Sequence, residues 1–452
     1  MAAPRASDDR PDRSFDVLLR RLRDGGVAIG HSGRVPTRGG ASDGGPATSA
    51  GRTGPPLATE PGPTSWSAVA VLMGAGVVAA AQIGGAAAAL PVLQDEFGLS
   101  STAAAWYLST VSALGAACGA LLGWLGQTLG FGRQIRIGLL AIVLADLGGA
   151  AVDSLAGLLI ARVGEGLGLV MVILAAPPLL AEVSAPAHRR LVSGAWGAYL
   201  PVGSGLAALL VPPAIGWVGW RGTSVADAVL AAVVLVLLLR WVPSAGQRGR
   251  ATAAGLLGAL RSRSVLIITV AFGLYSAQFL AVVGLLPASL VSDEGMSVAA
   301  AGVLGAITFL VSAPGNFLGA YLLHRGAPLR WVVPAGCAGM VGTAWIVLDP
   351  AHPAALRVAA AIVFSLTGGL VPASLFAALA AVSGGTRSAG AAIGLLTQGS
   401  ALGQLLGPPL VVAVGSAVAA GVVARAGLLG CFAALVAVGA AVLPRGERIQ
   451  PS

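Results

Sequence analysis

The sequence contains no lysine: all 27 of its basic residues are arginine, and Asn316 is its only asparagine. Charged residues of both signs make up 10% of the 452 positions, against roughly 25% in ordinary soluble chains. That scarcity excludes the three soluble domains the length alone would suggest. Without lysine there is no Gly-x4-Gly-Lys-Ser/Thr phosphate loop, so this polypeptide does not itself draw on ATP. Cysteine is also scarce. Cys118, Cys337 and Cys431 lie far apart, each inside an apolar run, and suggest neither a disulfide framework nor a metal cluster. The histidines (His31, His188, His324, His352) are scattered through loops and tail. No convergent His, Cys or carboxylate set forms, so no enzyme activity, cofactor or bound metal is expected. What is abundant is apolar: 56% hydrophobic residues and 66 glycines. This is the composition of a polytopic, all-α membrane protein, and the net charge of +9 is not a nucleic-acid signature.

Residues 1–65 stand apart, rich in Gly, Pro, Ser, Asp and Arg, with 9 Arg against 7 acidic residues. Such a segment buries too little apolar surface to offset its chain entropy and reads as a disordered cytoplasmic tail. It has no secretory-signal pattern. Within it, Ser14 could cap a short helix with Phe15, Leu18, Leu19 and Leu22 on one face and Arg20, Arg21 and Arg23 on the other. That helix is either interfacial, on an anionic leaflet, or transient, since two turns are marginal in water.

From Trp66 onward, apolar runs follow one another, each long enough to cross about 30 Å of hydrocarbon. The expected spans are 66–91, 101–126, 134–152, 154–183, 190–216, 224–242, 264–290, 298–324, 329–348, 353–381, 388–414 and 424–443. Backbone in lipid must satisfy itself, so these twelve runs are helices. With the N-terminus inside, one face collects Arg133, Arg136, Arg189, Arg190, Arg240, Arg248, Arg250, Arg261, Arg263, Arg325, Arg330, Arg387, Arg445 and Arg448. The other face receives Arg221, Arg357 and Arg425. Fourteen against three places both termini in the cytoplasm of a multi-pass protein of the inner (plasma) membrane.

The two halves repeat each other. Gln82 and Gln278 lie 196 residues apart, as do Pro91 and Pro287. The same offset takes Gly119 and Gly123 to Gly315 and Gly319, and Gly194, Gly203, Ser204, Leu206, Pro212 and Pro213 to Gly390, Gly399, Ser400, Leu402, Pro408 and Pro409. Six spans per unit give parallel repeats about an axis along the membrane normal, with a cleft between the bundles. The expected organisation is therefore a six-helix bundle at 66–242, a cytoplasmic linker at 243–263, a second bundle at 264–443 and a cytoplasmic tail at 444–452.

Several motifs add a resemblance. Gly123-Trp124-Leu125-Gly126-Gln127-Thr128-Leu129-Gly130-Phe131-Gly132-Arg133 joins spans 2 and 3, Arg162-Val163-Gly164-Glu165-Gly166 lies in span 4, and Trp220-Arg221 precedes Asp227 at span 6. Val211-Pro212-Pro213 ends span 5, and Gly407-Pro408-Pro409 ends span 11. On these motifs, with twelve spans and the repeat, residues 66–443 resemble the major facilitator superfamily. The first motif is similar to that family's loop between helices 2 and 3, with Gln127 and Thr128 where the family has Asp and Arg. The resemblance assigns Gly123, Gly130 and Arg133 to gating. It implies two six-helix bundles that open alternately to either face.

Candidate functional residues are polar groups inside spans, where each charge costs at least ~2.5–3.5 kcal/mol on insertion scales. Arg162 and Glu165 share a helix face at i, i+3. Glu165 is either a proton carrier freed when an anionic substrate draws Arg162 away, or half of a permanent ion pair. Asp146, mid-span in the third helix, is either a second proton site or a quiet partner of Arg162. Gln82 and Gln278 are candidate substrate ligands at the bundle junction, or else hydrogen-bond a neighbouring helix. Asn316 and Gln398 are lower-ranked versions of the same idea, and Trp196, Tyr199, Tyr275 and Phe279 are expected to form a cavity wall. Trp106, Trp217, Trp220 and Trp331 are expected at headgroup level. Asp227 is expected at the outer boundary, and Pro177-Pro178, Pro201, Pro314 and Pro372 are expected to bend their helices. Gly115-Gly119-Gly123 and Gly399-Gly403-Gly407 offer close-contact faces.

The reading that follows is a secondary transporter of a small organic solute, driven by protons or another ion, with the lipid bilayer as its surroundings. It is expected to act as a monomer and to have no nucleic-acid partner. The family's bacterial members weigh toward efflux of amphipathic, drug-like compounds; the alternative is proton-coupled uptake of an organic anion. A scaffold or sensor built on the same fold is the further alternative.

Overall fold

The computed structural model of the chain describes residues 63–242, 253–382 and 386–417. The tail helix at Ser14–Leu22, the twelfth expected span (424–443) and the C-terminal tail lie outside the described residues. So does the first part of the linker, at 243–252; its second part is helical. In order, the elements are α1 (Trp66–Phe97), α2 (Ser101–Thr110), α3 (Ala113–Leu129), α4 (Phe131–Ala150), α5 (Leu155–Val183), α6 (Arg189–Trp196), α7 (Tyr199–Trp241) and α8 (Ala253–Arg261). Then come α9 (Arg263–Phe279), a π-helical turn (Leu280–Gly284), α10 (Leu285–Glu294), α11 (Val298–His324), α12 (Leu329–Leu348), α13 (Ala354–Gly368), α14 (Leu370–Val382) and α15 (Thr386–Ala417). Starts at polar loops are fixed by serine caps: the side chains of Ser100, Ser154, Ser262 and Ser297 each accept the backbone N–H three residues on.

Eight helical stretches among the described residues are long and apolar enough to cross a membrane. One of them, Leu191–Trp241, runs 51 residues and covers two expected spans. Its chain reverses at Gly219, whose φ of 70° and ψ of 172° suit glycine. The reversal shows in the packing, because the position above Gly85 of α1 is met by Ala207, Val211 and Asp227 together. The two expected spans outside those eight, α4 and α15, are the polar ones. Even in α4 both faces are largely apolar: Ile137, Leu140, Leu144 and Leu147 are exposed, while Ile135, Leu139 and Ile142 are buried together with Gln134 and Asp146. Lipid on one side and protein on the other account for that arrangement. Of the prolines expected to bend their helices, Pro177 and Pro178 lie inside α5 and Pro314 inside α11. Pro201 and Pro372 fall in first turns, where the ring is tolerated, and backbone departs from helix at Cys118 and Gly219.

The repeat is visible as matched contacts. Ser204 donates to the Ala80 carbonyl at 2.9 Å, and 196 residues on Ser400 bonds Ser276 at 2.7 Å. A side chain at Gly203 would strike Val77, and one at Gly273 would strike Gly399. Helices pair the same way in both halves: α1 with α7 and α9 with α15, α4 with α5 and α12 with α13. Between the halves, α3 packs on α15 and the first arm of α7 packs on α11, again a pair exchanged by the repeat. The body is thus two lobes of like construction that meet along two symmetric seams.

Polar clusters mark one end of each lobe. Arg221 reaches Glu96 at 2.7 Å and Asp153 at 2.5 Å, tying the ends of α1, α4 and α7. Trp220 is buried there, donating to Glu96 at 2.5 Å, so the carboxylate satisfies the indole N–H inside the cluster. In the second lobe the buried Arg357 bonds Asp293, Glu294, Ser289 and the Val347 carbonyl. The opposite end gathers Ser65, bonded to Val183, and Arg136, bonded to Val242. Arg357→Ala should lower thermal stability in detergent by about 3 kcal/mol, because two carboxylates lose their buried cation. An unchanged melting temperature would show that water replaces it at no cost.

Candidate substrate and coupling site

Helices α1, α2, α4 and α5 bring five of the sequence's polar and aromatic residues to one point inside the first lobe. Arg162 of α5 is 2% exposed and forms an ion pair with Glu165 one turn on, itself 8% exposed. Its other bonds go to backbone: Nη1 donates to the Gln82 carbonyl at 2.9 Å and Nε to the Tyr107 carbonyl at 3.4 Å. The guanidinium also lies over the Tyr107 ring, 5.3 Å from its centre. Nη2 is buried without a partner. Asp146 of α4, 3% exposed, accepts from the Gln82 amide at 3.2 Å. Gln82 therefore joins the pieces, its side chain on Asp146 and its carbonyl on Arg162.

Two placements differ from the sequence reading. Asp146 is held by Gln82 rather than paired directly with Arg162. Asp227 does not sit at an outer boundary but two turns beyond the Gly219 reversal, beside Gly85 of α1. The hairpin at Gly219 carries it there. The site thus holds three carboxylates and one guanidinium, an acidic balance that the span positions alone conceal.

The second lobe is built differently at the same offset. Val358 and Ala361 stand where the first lobe has Arg162 and Glu165, and Gly342 where it has Asp146. Gln278 is 1% exposed, and neither its amide nitrogen nor its oxygen has a partner. A run of aromatic rings passes its neighbours: Phe272 stacks on Tyr275, Tyr275 on Phe279, and Phe279 meets Phe309 and Phe364, with centres 5.8–6.4 Å apart. The π-helical turn begins two residues after Gln278, and Gly284 at its end abuts Leu108 of α2. Such turns recur at functional sites.

The remaining candidates scatter. Trp196 and Tyr199 stack at 4.4 Å across the break between α6 and α7, over Gly76 of α1. Asn316 of α11 has a buried Oδ1 without a partner, beside Gly369. Gln398 sits on α3 at the seam between lobes. Of the motif between spans 2 and 3, Gly123 touches Gly390 and Gly394 across that seam, Gly130 turns the chain with a φ of 90°, and Arg133 is exposed. Sequence reasoning missed the two backbone carbonyls that hold Arg162. Carbonyls carry no residue identity, so no sequence signal marks them.

Comparisons with known proteins agree on the broad class. The family model described as Major Facilitator Superfamily matches residues 72–408. The Arabinose-proton symporter of Escherichia coli (strain K12) is 33% identical over 172 residues, which are 38% of this chain and 36% of that protein. Methyl viologen resistance protein SmvA of Salmonella typhimurium (strain LT2) is 30% identical over 200 residues, 42% of this chain and 38% of its own. The chain thus aligns with little more than a third of the length of these relatives. Among solved structures, a bacterial homologue of the human lysosomal transporter Spinster, inward-facing and occupied, superposes with a TM-score of 0.64. It is 18% identical and covers 83% of this chain and 91% of its own.

Proposed function

The chain belongs to the major facilitator superfamily and is a membrane-embedded transporter, and from that premise we propose that it exchanges protons for an amphipathic organic cation by alternating access, exporting it from the cell. The carrying observation is that acidic side chains outnumber the one guanidinium among the polar groups gathered at the candidate site: Glu165 on Arg162, Asp146 on Gln82 and Asp227 beside Gly85. A cation and a proton compete for such a site, and competition for one site is what couples their opposite movement. An organic anion, the alternative from sequence, finds Arg162 already engaged by Glu165 and two carbonyls. The aromatic run in the second lobe supplies the apolar and cation–π surface such a substrate needs. In this reading the arginine-rich end faces the cytoplasm, with both termini there. Asp146 and Glu165 carry the proton, and Gln278 donates to or accepts from the substrate.

The test uses proteoliposomes loaded with a pH-sensitive dye and an acidic interior. External methyl viologen should speed alkalinisation of the interior, and arabinose should not. No cation-dependent proton movement would overturn the reading. A second reading, symport of a neutral polar solute, is favoured by the similarity to the arabinose-proton symporter; arabinose-driven acidification from an acidic exterior would establish it instead. Gln278→Leu should weaken half-saturation by roughly three- to tenfold with little change in maximal flux, since one neutral hydrogen bond is lost. Radiolabelled cation uptake into everted vesicles reads this.

A further inference from the structure

The seam between α3 and α15 holds a feature that close-packed glycines do not explain. Helix α3 leaves helical backbone at Cys118, with φ −140° and ψ 20°. In an unbroken helix the Ala120 N–H would bond the Ala116 carbonyl. Here the side-chain amide of Gln398, from the other lobe, meets both groups. Its Oε1 accepts from Ala120 N at 3.2 Å, and its Nε2 donates to the Ala116 carbonyl at 2.9 Å and the Ala117 carbonyl at 3.4 Å. Six residues on, Gln404 accepts from Ser112 at 2.8 Å, at the second interruption of this span, between α2 and α3. Both glutamines of α15 thus face breaks in the same partner helix. Gly119, against the Cα of Gln398, and Gly394, against Ala120, allow the approach.

We infer that Gln398 is a positioning residue for the conformational step of transport: its amide inserts into the hydrogen-bond ladder of α3 when the lobes meet at this seam, and α3 closes its own ladder when they part. A side chain inserted in the ladder is a known cause of a kink. The exchange leaves the Ala116 and Ala120 groups bonded in both states. Separation therefore does not strand buried backbone groups, which would otherwise oppose it. Bending of α3 and contact between the lobes become one coordinate. The inference rests on lobes that move, but on neither the coupling ion nor the substrate.

Spin labels test it in the full-length protein in nanodiscs, with native cysteines replaced by serine. One pair, Thr128→Cys with Ile393→Cys, reads the seam. A second, Leu114→Cys with Thr128→Cys, lies wholly within α3 and reads the bend across Cys118. In the unmodified background the two distances should change together as proton and methyl viologen concentrations vary. Gln398→Leu should shift the seam equilibrium toward separation roughly fivefold, as expected for a net loss near one hydrogen bond, and should straighten α3. Gln398→Met, keeping length without hydrogen bonds, should do the same. Gln404→Leu should shift the seam without altering the bend. A bend unchanged in both Gln398 variants, or bend and seam varying independently in the background protein, would overturn the inference. A seam distance fixed under every condition would instead sink alternating access itself.

Discussion

Arg162→Ala is expected to abolish transport, by at least about a hundredfold, and to destabilise the first lobe by roughly 3–5 kcal/mol. The side chain is 2% exposed and answers Glu165, the carbonyls of Gln82 and Tyr107, and the face of the Tyr107 ring. Its loss strands a buried carboxylate and frees the joint between α1, α2 and α5. Lysine would keep the charge but not the fork that reaches two carbonyls at once, so Arg162→Lys should fold and still transport slowly. The decisive variant is the neutral double, Arg162→Gln with Glu165→Gln. A permanent structural pair could be exchanged for two hydrogen-bonding amides with transport kept. A coupling pair could not: the double variant should regain most of the thermal stability lost by Arg162→Ala while proton movement stays absent. Transport by the double variant at near its original rate would show the pair to be structural.

The sequence foretold the helical body because its signals are long and redundant. Hydrophobic runs of 18 to 30 residues tolerate an error of a few positions, and one register linked Gln82 to Gln278 and Ser204 to Ser400 before any contact was known. The structure closes those same serines on α1 and α9. The polar residues inside the spans were equally visible, since any charge there stands out against its surroundings. Their partners were not. Pairing Gln82 with Asp146 requires the relative rotation and depth of two helices, which periodicity does not encode. Asp227 was misplaced because its depth depends on one glycine, Gly219, that sets where the hairpin turns. Gln398 read as a cavity residue since its true partners are backbone groups, exposed by a kink at Cys118 that no proline announces.

Division of labour between the lobes follows from the same comparison. Parallel repeats begin with equivalent positions, yet the charges of the candidate site lie in the first lobe, while the second keeps its buried Arg357 in the cluster at its end and has aromatic rings and an unpartnered amide around Gln278. A lobe carrying buried charge must keep its internal geometry, and the ion pairs of Arg221 and the ladder of Gln82, Asp146 and Arg162 do so within that lobe. The second lobe leaves the Gln278 amide without a partner and can offer it to a passing solute. Substrate range should therefore respond to changes near Gln278, and coupling to changes near Asp146.

Asp146→Asn tests that separation directly. Asparagine keeps the shape of the side chain and one oxygen for the Gln82 amide at 3.2 Å, so the lobe should fold with its melting temperature nearly unchanged. It cannot release or take up a proton. Exchange of labelled for unlabelled methyl viologen across the vesicle wall needs substrate binding and lobe movement but no proton, and should continue within about twofold. Uphill accumulation driven by a proton gradient should fall at least about tenfold, the factor that corresponds to 1.4 kcal/mol of lost coupling. Glu165→Gln differs in one respect: it also strips Arg162 of its counter-charge, so it should impair exchange as well as accumulation. If Asp146→Asn accumulated substrate normally, the proton would have to travel through Glu165 or Asp227 alone. If it lost exchange and accumulation together, Asp146 would be a ligand for the cation rather than a carrier of the proton.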